Sequence, residues 1–292
     1  MKSDTEPPSD VARWVVVPMD QPPDGLKPLH TALDLAERID AGVRLFSVVG
    51  SPEEAVGRQD VLQALADEIE TVDATVVIGI GSDVECEILN ATDENDIVCM
   101  ATAASLLPHQ GHFGSIAEAV VRMVQRPVVL LGPAADPSMS RGLGRIVVPV
   151  DGSVRSETAV EPAAALSRLL DIPLWVVTVV PLAQQRAAAA QLGREAAATE
   201  SSYVRQLAKR AVSHGASEAQ FEVLHMQDAA PAILDFAHPD GLVVMSTHGK
   251  TGLRRLFAGS VTTSVVARST HPVIVLRPPD DLLASGAGPK PM

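Results

Sequence analysis

The residues best suited to chemistry are Met245-Ser246-Thr247-His248-Gly249-Lys250-Thr251-Gly252, followed by Gly259-Ser260-Val261. An apolar run, Leu242 to Val244, precedes them, and a helix-like stretch ending at Pro272 follows. A strand, a loop of small residues and a Gly-Ser helix start make an arrangement suited to phosphate. Backbone N–H groups are free there, and the helix dipole favours an anion. An eroded version reads Met100-Ala101-Thr102-Ala103-Ala104, then Gly114-Ser115-Ile116, between Ile97–Cys99 and Pro127. Both versions place nine residues between position 104 or 249 and the next glycine. The intact version adds Lys250, Arg254 and Arg255, whereas residues 105–113 hold no permanent cation.

The elements that must hold these loops also occur twice. Each half opens with an apolar strand ending in Pro-x-Asp: Trp14 to Pro18-Met19-Asp20, and Ile146 to Pro149-Val150-Asp151. Each half closes with proline and a further apolar strand, Val128–Leu131 or Val273–Leu276. The repeat offset is 131 residues at the front and 145 at the back, so the second half carries a 14-residue insertion. The Ala-rich stretch Ala187–Ala198 is the candidate for it. A period this long means duplicated domains and not a solenoid.

Strands alternate with helical patterns throughout. In the second half they are Arg145–Val150, a helix over 156–170 with Pro162 placed to kink it, Leu174–Val180 and a long helix over 195–214. Ala219–Val223, a helix over 229–236, Leu242–Met245, a helix from Ser260 and Val273–Leu276 follow. The first half repeats the order. This predicts an α/β chain of two tandem doubly wound domains, each with a five-stranded parallel sheet and helices on both faces. The first domain spans 11–132, a turn-rich linker 133–143, and the second domain 144–279. Residues 1–10 and 280–292 read as disordered tails.

In such sheets a ligand lies beyond the C-terminal strand ends, where strand order reverses. Asp151 ends the first strand of its half, and Ser246 to Gly249 follow the fourth. If those strands are neighbours, the carboxylate suits a sugar hydroxyl or base edge while the loop takes phosphates. Together they describe a nucleotide.

On these residues the chain resembles the universal stress protein family in its tandem form. The family motif is Gly-x2-Gly-x9-Gly followed by Ser or Thr. Here Ser246 stands at the first glycine, while Gly249, Gly259 and Ser260 match. The resemblance covers roughly residues 12–132 and 144–278. It implies Asp151 on the nucleoside, Val179 against adenine, and the Gly249 loop with Ser260 on the phosphates, where Lys250 adds attraction. Pro149, Met245, Ser246, Gly259 and Val261 complete the expected nucleotide-binding set. The implied cofactor is ATP, with Mg²⁺ accompanying the phosphates. The first half keeps Asp20, Val48 and Gly114-Ser115 but has Ala101 and Ala104 for glycines, so it reads as a weak or empty site. The family resemblance also implies a cytoplasmic stress-response role in which ATP switches contacts with a protein partner. The closing strands are expected to pair, making the two domains an intrachain pseudo-dimer, with a homodimer also open. A protein–protein module that has lost nucleotide binding and a weak ATP hydrolase are the alternatives.

Composition narrows the classes. A formal net charge of −13 excludes a general nucleic-acid or anionic-membrane binder. No stretch approaches the ~20 apolar residues of a membrane span. The first residues, Met1 to Pro8, lack the apolar core of a signal peptide. Cys86 and Cys99 are the only cysteines, fitting a reducing cytoplasm, and both read as core or near-core residues. Gly249-Lys250-Thr251 lacks the earlier glycine of a Walker A loop, having Val244 there. Gly79-Ile80-Gly81 reads as an ordinary turn, and His109 and His112 as loop residues without further metal ligands. No general base, nucleophile or metal-ligand set stands at the phosphate end, which argues against an enzyme.

Overall fold

The computed structural model describes residues 14–19, 26–102, 114–136, 142–182, 194–247 and 260–279. The first repeat contains β1 (Trp14–Pro18), α1 (Leu26–Ile39), β2 (Gly42–Val49), α2 (Pro52–Asp67), β3 (Ala74–Ile80), α3 (Val84–Asn90), β4 (Ile97–Ala101), α4 (Ser115–Met123) and β5 (Val128–Leu131). The second contains β6 (Arg145–Val150), α5 (Val154–Glu157), α6 (Val160–Leu170), β7 (Leu174–Val180), α7 (Arg194–Ser213), β8 (Ala219–His225), α8 (Ala229–Ala237), β9 (Gly241–Ser246), α9 (Ser260–Arg268) and β10 (Val273–Leu276). The expected α/β fold is present, with five strands in each repeat. Contacts divide the chain into two compact units, Met1–Met100 and Ala101–Met292.

In the first unit the strand order is β3-β2-β1-β4, with β1 parallel to both β2 and β4. In the second it is β5-β10-β9-β6-β7-β8. All pairs from β10 to β8 are parallel, and only β5 runs antiparallel to its neighbour β10. The closing strands of the two repeats therefore pair, as expected, with Val129 opposite Ile274. Their residues are buried, which leaves neither apolar strand as a bare edge at this seam.

Burial on both faces explains the continuous apolar runs. Val15, Val16 and Val17, like Val147 and Val148, have no exposed surface. The helices bury one stripe each. In α1 the stripe is Leu29, Ala32, Leu35, Ala36 and Ile39; in α7 it is Val204, Leu207, Ala208 and Ala211. Alanine in these stripes lets the helices lie close to the sheet. The repeat extends to backbone detail: Asp40 and Asp171, which are 131 residues apart, both adopt positive φ, of 55° and 52°, just after α1 and α6.

Two sequence expectations are corrected. The single helix over 156–170 is two helices, broken at Thr158 and Ala159. Pro162 lies in the first turn of α6, where its missing N–H costs no intrahelical bond, so it kinks nothing. Cys99 is fully buried, but Cys86 is exposed on α3. It sits in the first turn, where its backbone N–H is capped by Asp83 Oδ1 at 3.1 Å. The insertion falls between β7 and β8, because the offset is 131 at β7 and 145 at β8.

Candidate nucleotide site at the ends of β6 and β9

The strand order reverses between β9 and β6. From β6 the chain proceeds outward through β7 to β8, while β9 lies on the other side of β6. The register pairs Val147 with Val243. Four residues further along each strand, Asp151 and Thr247 lie level at the C-terminal tips. On the other flank Val150 pairs with Thr178, which puts Val179 level with Asp151. Pro149 and Met245 are buried in the strands beneath, whereas Asp151 is exposed and Val179 half-buried.

Local chemistry shapes the tip of β6. Asp151 Oδ1 accepts hydrogen bonds from Ser153 N at 3.0 Å and Ser153 Oγ at 2.6 Å. Gly152 makes the turn with φ of 83°, a conformation that a side chain would strain. Ser153 then caps α5, its Oγ accepting from Ser156 N at 3.2 Å. The carboxylate is thus fixed in direction by its own turn.

The tip of β9 is held as firmly. Thr247 is buried and donates both N–H (2.8 Å) and Oγ1–H (3.3 Å) to the carbonyl of Leu276. Ser246 Oγ is hydrogen-bonded to Thr158 Oγ1 at 3.1 Å and to the Leu276 carbonyl at 3.4 Å. Its side chain is therefore engaged with the α5–α6 junction and β10. The first repeat contains the same lock: Thr102 donates N–H (2.9 Å) and Oγ1–H (3.3 Å) to Leu131. All four residues obey the 145-residue offset. Gly114, at the start of α4, has φ of 96°, which explains a glycine retained there.

Sequence reasoning missed a cluster beside Asp151. Tyr203, the chain's single tyrosine, donates to Glu157 Oε1 at 3.1 Å. Arg210 reaches Glu157 Oε2 at 3.3 Å and the Glu157 carbonyl at 2.9 Å. Burial, together with the charges of Glu157 and Asp151, pushes the Tyr203 phenol well above its ordinary value. The phenol stays a proton donor at any physiological pH. Tyr203 lies in the long helix expected over 195–214, and its partner lies 46 residues away.

Asp151, Pro149, Val179, Met245 and Ser246 are gathered at one end of the sheet. Ser260 and Val261 open α9, with Val261 half-buried. Gly249, Lys250 and Gly259 lie outside the described residues, as do Asp20, Ala104, His109 and His112.

A model of the Universal stress protein family matches residues 142–277. A universal stress protein of Methanocaldococcus jannaschii is 31% identical over 140 residues, which cover 46% of this chain and 82% of that protein. The chain belongs to the universal stress protein family. Another member, from Synechocystis sp., is 29% identical over 170 residues, 58% of this chain. The match spans about half of that protein's length (53%). The crystal structure of a universal stress protein from Archaeoglobus fulgidus shares the fold, with a TM-score of 0.67 at 18% identity. That likeness covers 90% of this chain and 98% of the other. It extends over both repeats. Among the described residues no helix is long and apolar enough to cross a membrane.

Proposed function

We propose that this universal stress protein binds ATP in its second repeat, beyond the tips of β6 and β9, and that occupancy governs its contacts with a protein partner in a cytoplasmic stress response. The observation that carries the reading is the meeting of Asp151 with Ser246 and Thr247 at the reversal of strand order. Open α/β sheets bind ligands at that place. Asp151 is exposed, with Oδ1 held by its own turn, and its carboxylate is the proposed partner of sugar hydroxyls. Val179 offers a half-buried apolar contact for a base. Gly249, Lys250, Gly259, Ser260 and Val261 are the residues assigned to the phosphate end in this reading. Mg²⁺ is expected to accompany the nucleotide, held chiefly by phosphate oxygens and water and not by a cage of protein ligands.

Titration calorimetry on the full chain tests this. ATP with Mg²⁺ saturates at one nucleotide per chain, and GTP binds at least about tenfold more weakly, roughly 1.4 kcal/mol. Gly249→Glu abolishes binding, because bulk and negative charge enter the phosphate loop. Ala104→Glu leaves the stoichiometry unchanged. Equal affinity for GTP, or two equivalent sites per chain, overturns the reading.

A further inference from the structure

We infer that the free edge of β3 is a docking site for an extended, basic segment of a partner protein, which adds to the sheet as a further strand. The strand β3 pairs with β2 on one side only, and no described strand covers the other. Its backbone register shows which groups are free. The carbonyl of Asp73 accepts from Val43 N at 2.8 Å, and Gly81 N donates to Val49 O at 3.0 Å. In a parallel ladder, residues of one parity carry both bonds to the neighbour. Thr75, Val77 and Gly79 therefore face β2. Ala74, Val76, Ile78 and Ile80 turn their N–H and C=O groups outward. Seven extended residues offer an edge of roughly 23 Å.

This edge lacks the usual guards. It contains no charged residue and no proline, and Val77 and Ile80 are 37% and 47% exposed. On the adjacent α2, Val56 and Val61 are 66% and 51% exposed, and only Leu62 and Ala66 are buried. The equivalent edge strand of the second repeat, β8, is protected. It carries Gln220, Glu222 and His225, and Arg205 lies over Phe221 at 5.2 Å. The two edges come from one duplicated unit, so the bare one is not a requirement of the fold.

Charge selects the occupant. From Ser51 to Glu94 the chain has twelve acidic residues and one basic residue, Arg58. The equivalent stretch of the second repeat, 196–239, has five acidic and three basic. This one stretch, from α2 through β3 to the end of α3, therefore carries most of the net charge of −13. Glu68, Glu70 and Asp73 stand before the strand, and Asp83, Glu85 and Glu87 after it. A second copy of the chain brings carboxylates against carboxylates at this edge. A segment alternating apolar residues with lysine or arginine satisfies both the strand and its frame.

The test titrates the full chain with a capped heptapeptide of alternating lysine and valine. Saturable binding is expected, weakening as ionic strength rises. A peptide of equal charge with proline in place of valine binds at least tenfold more weakly, because it cannot donate along the edge. A peptide with glutamate for lysine does the same. Val77→Lys with Ile80→Lys, both at exposed positions, reduces affinity at least tenfold while circular dichroism is unchanged. Hydrogen exchange on the wild type slows at Ala74, Val76, Ile78 and Ile80 when the peptide is added. Equal binding of the proline peptide reduces the effect to bulk charge and overturns the inference. So does unaltered exchange at those four amides. A concentration-dependent dimer that the lysine variants abolish assigns the edge to a second copy and overturns it as well.

Discussion

Asp151 has two possible duties, and a pair of substitutions separates them. Its Oδ1 holds Ser153 N and Oγ at 3.0 and 2.6 Å, so it could serve only to close the strand-end turn. In the proposed site the same carboxylate also meets a nucleoside hydroxyl. Ser153→Ala breaks the turn but keeps the carboxylate. It removes the cap of α5 and one of the two bonds to Asp151, which costs about 1 kcal/mol of stability. Asp151→Ala removes the turn acceptor and the ligand contact together. A hydrogen bond to a charged group contributes about 1.5–3 kcal/mol, which is roughly a 10- to 150-fold loss of ATP affinity. Calorimetry for affinity and thermal melts for stability are read on both variants. The expected pattern is similar small losses in melting temperature, with ATP affinity falling at least tenfold only in Asp151→Ala. If Ser153→Ala weakens ATP as much as Asp151→Ala, the carboxylate is a turn closer and the assignment fails.

Two further outcomes follow from buried groups. Asp96 has no exposed side-chain surface and receives Arg44 Nη1 at 3.1 Å and Asp93 N at 2.8 Å. Arg44→Ala strands that carboxylate and is expected to lower unfolding stability by about 3–5 kcal/mol in urea titration, with part of the loss restored by adding Asp96→Asn. His271 is buried, and burial holds its imidazole below the ordinary value, so the fold prefers the neutral ring. Its contribution is complete above about pH 6.5 and is lost as pH falls toward the folded-state value. Melting temperatures between pH 7.5 and 5 should therefore drop less in His271→Asn than in the wild type.

The strands were legible because burial on both faces leaves an unbroken apolar run, as in Val15–Val17 and Val147–Val148. Their C-terminal ends were less so. The strand β3 runs on to Ile80, through the first two residues of the expected turn Gly79-Ile80-Gly81, because Gly79 sits buried in the ladder opposite Val48. The break between α5 and α6 was hidden for a different reason. A proline in a helical pattern suggests a kink, and only the capping geometry of Ser153 and Ala159 shows two helix starts. At the site, Asp151 and Ser246 were found from strand-end chemistry and spacing. Tyr203, Glu157 and Arg210 were not, since contacts spanning 46 and 53 residues leave no local pattern. The threonine lock could have been read from the repeat. Thr102 and Thr247 are the residues that the eroded and intact loops share immediately after Ala101 and Ser246.

That shared threonine explains how the two halves could diverge without losing the fold. Each lock ties the end of the fourth strand of its repeat to the carbonyl that ends the fifth, using a backbone N–H and a hydroxyl at nearly equal distances. It satisfies buried polar groups where the sheet meets the loop, so it is required whether or not the loop holds a ligand. One and two residues beyond it the two sequences part. There Ala103 and Ala104 stand against His248 and Gly249. At the far edge of each sheet the same divergence has the opposite result. The second repeat kept its guarded strand beside a phosphate-type loop, and the first repeat combined an eroded loop with a bare, carboxylate-framed strand. Substituting Thr102 or Thr247 by valine should consequently cost comparable stability, while only the Thr247 change should reach ATP affinity. Equal effects of both on ATP binding would mean that the first repeat still takes part in the site.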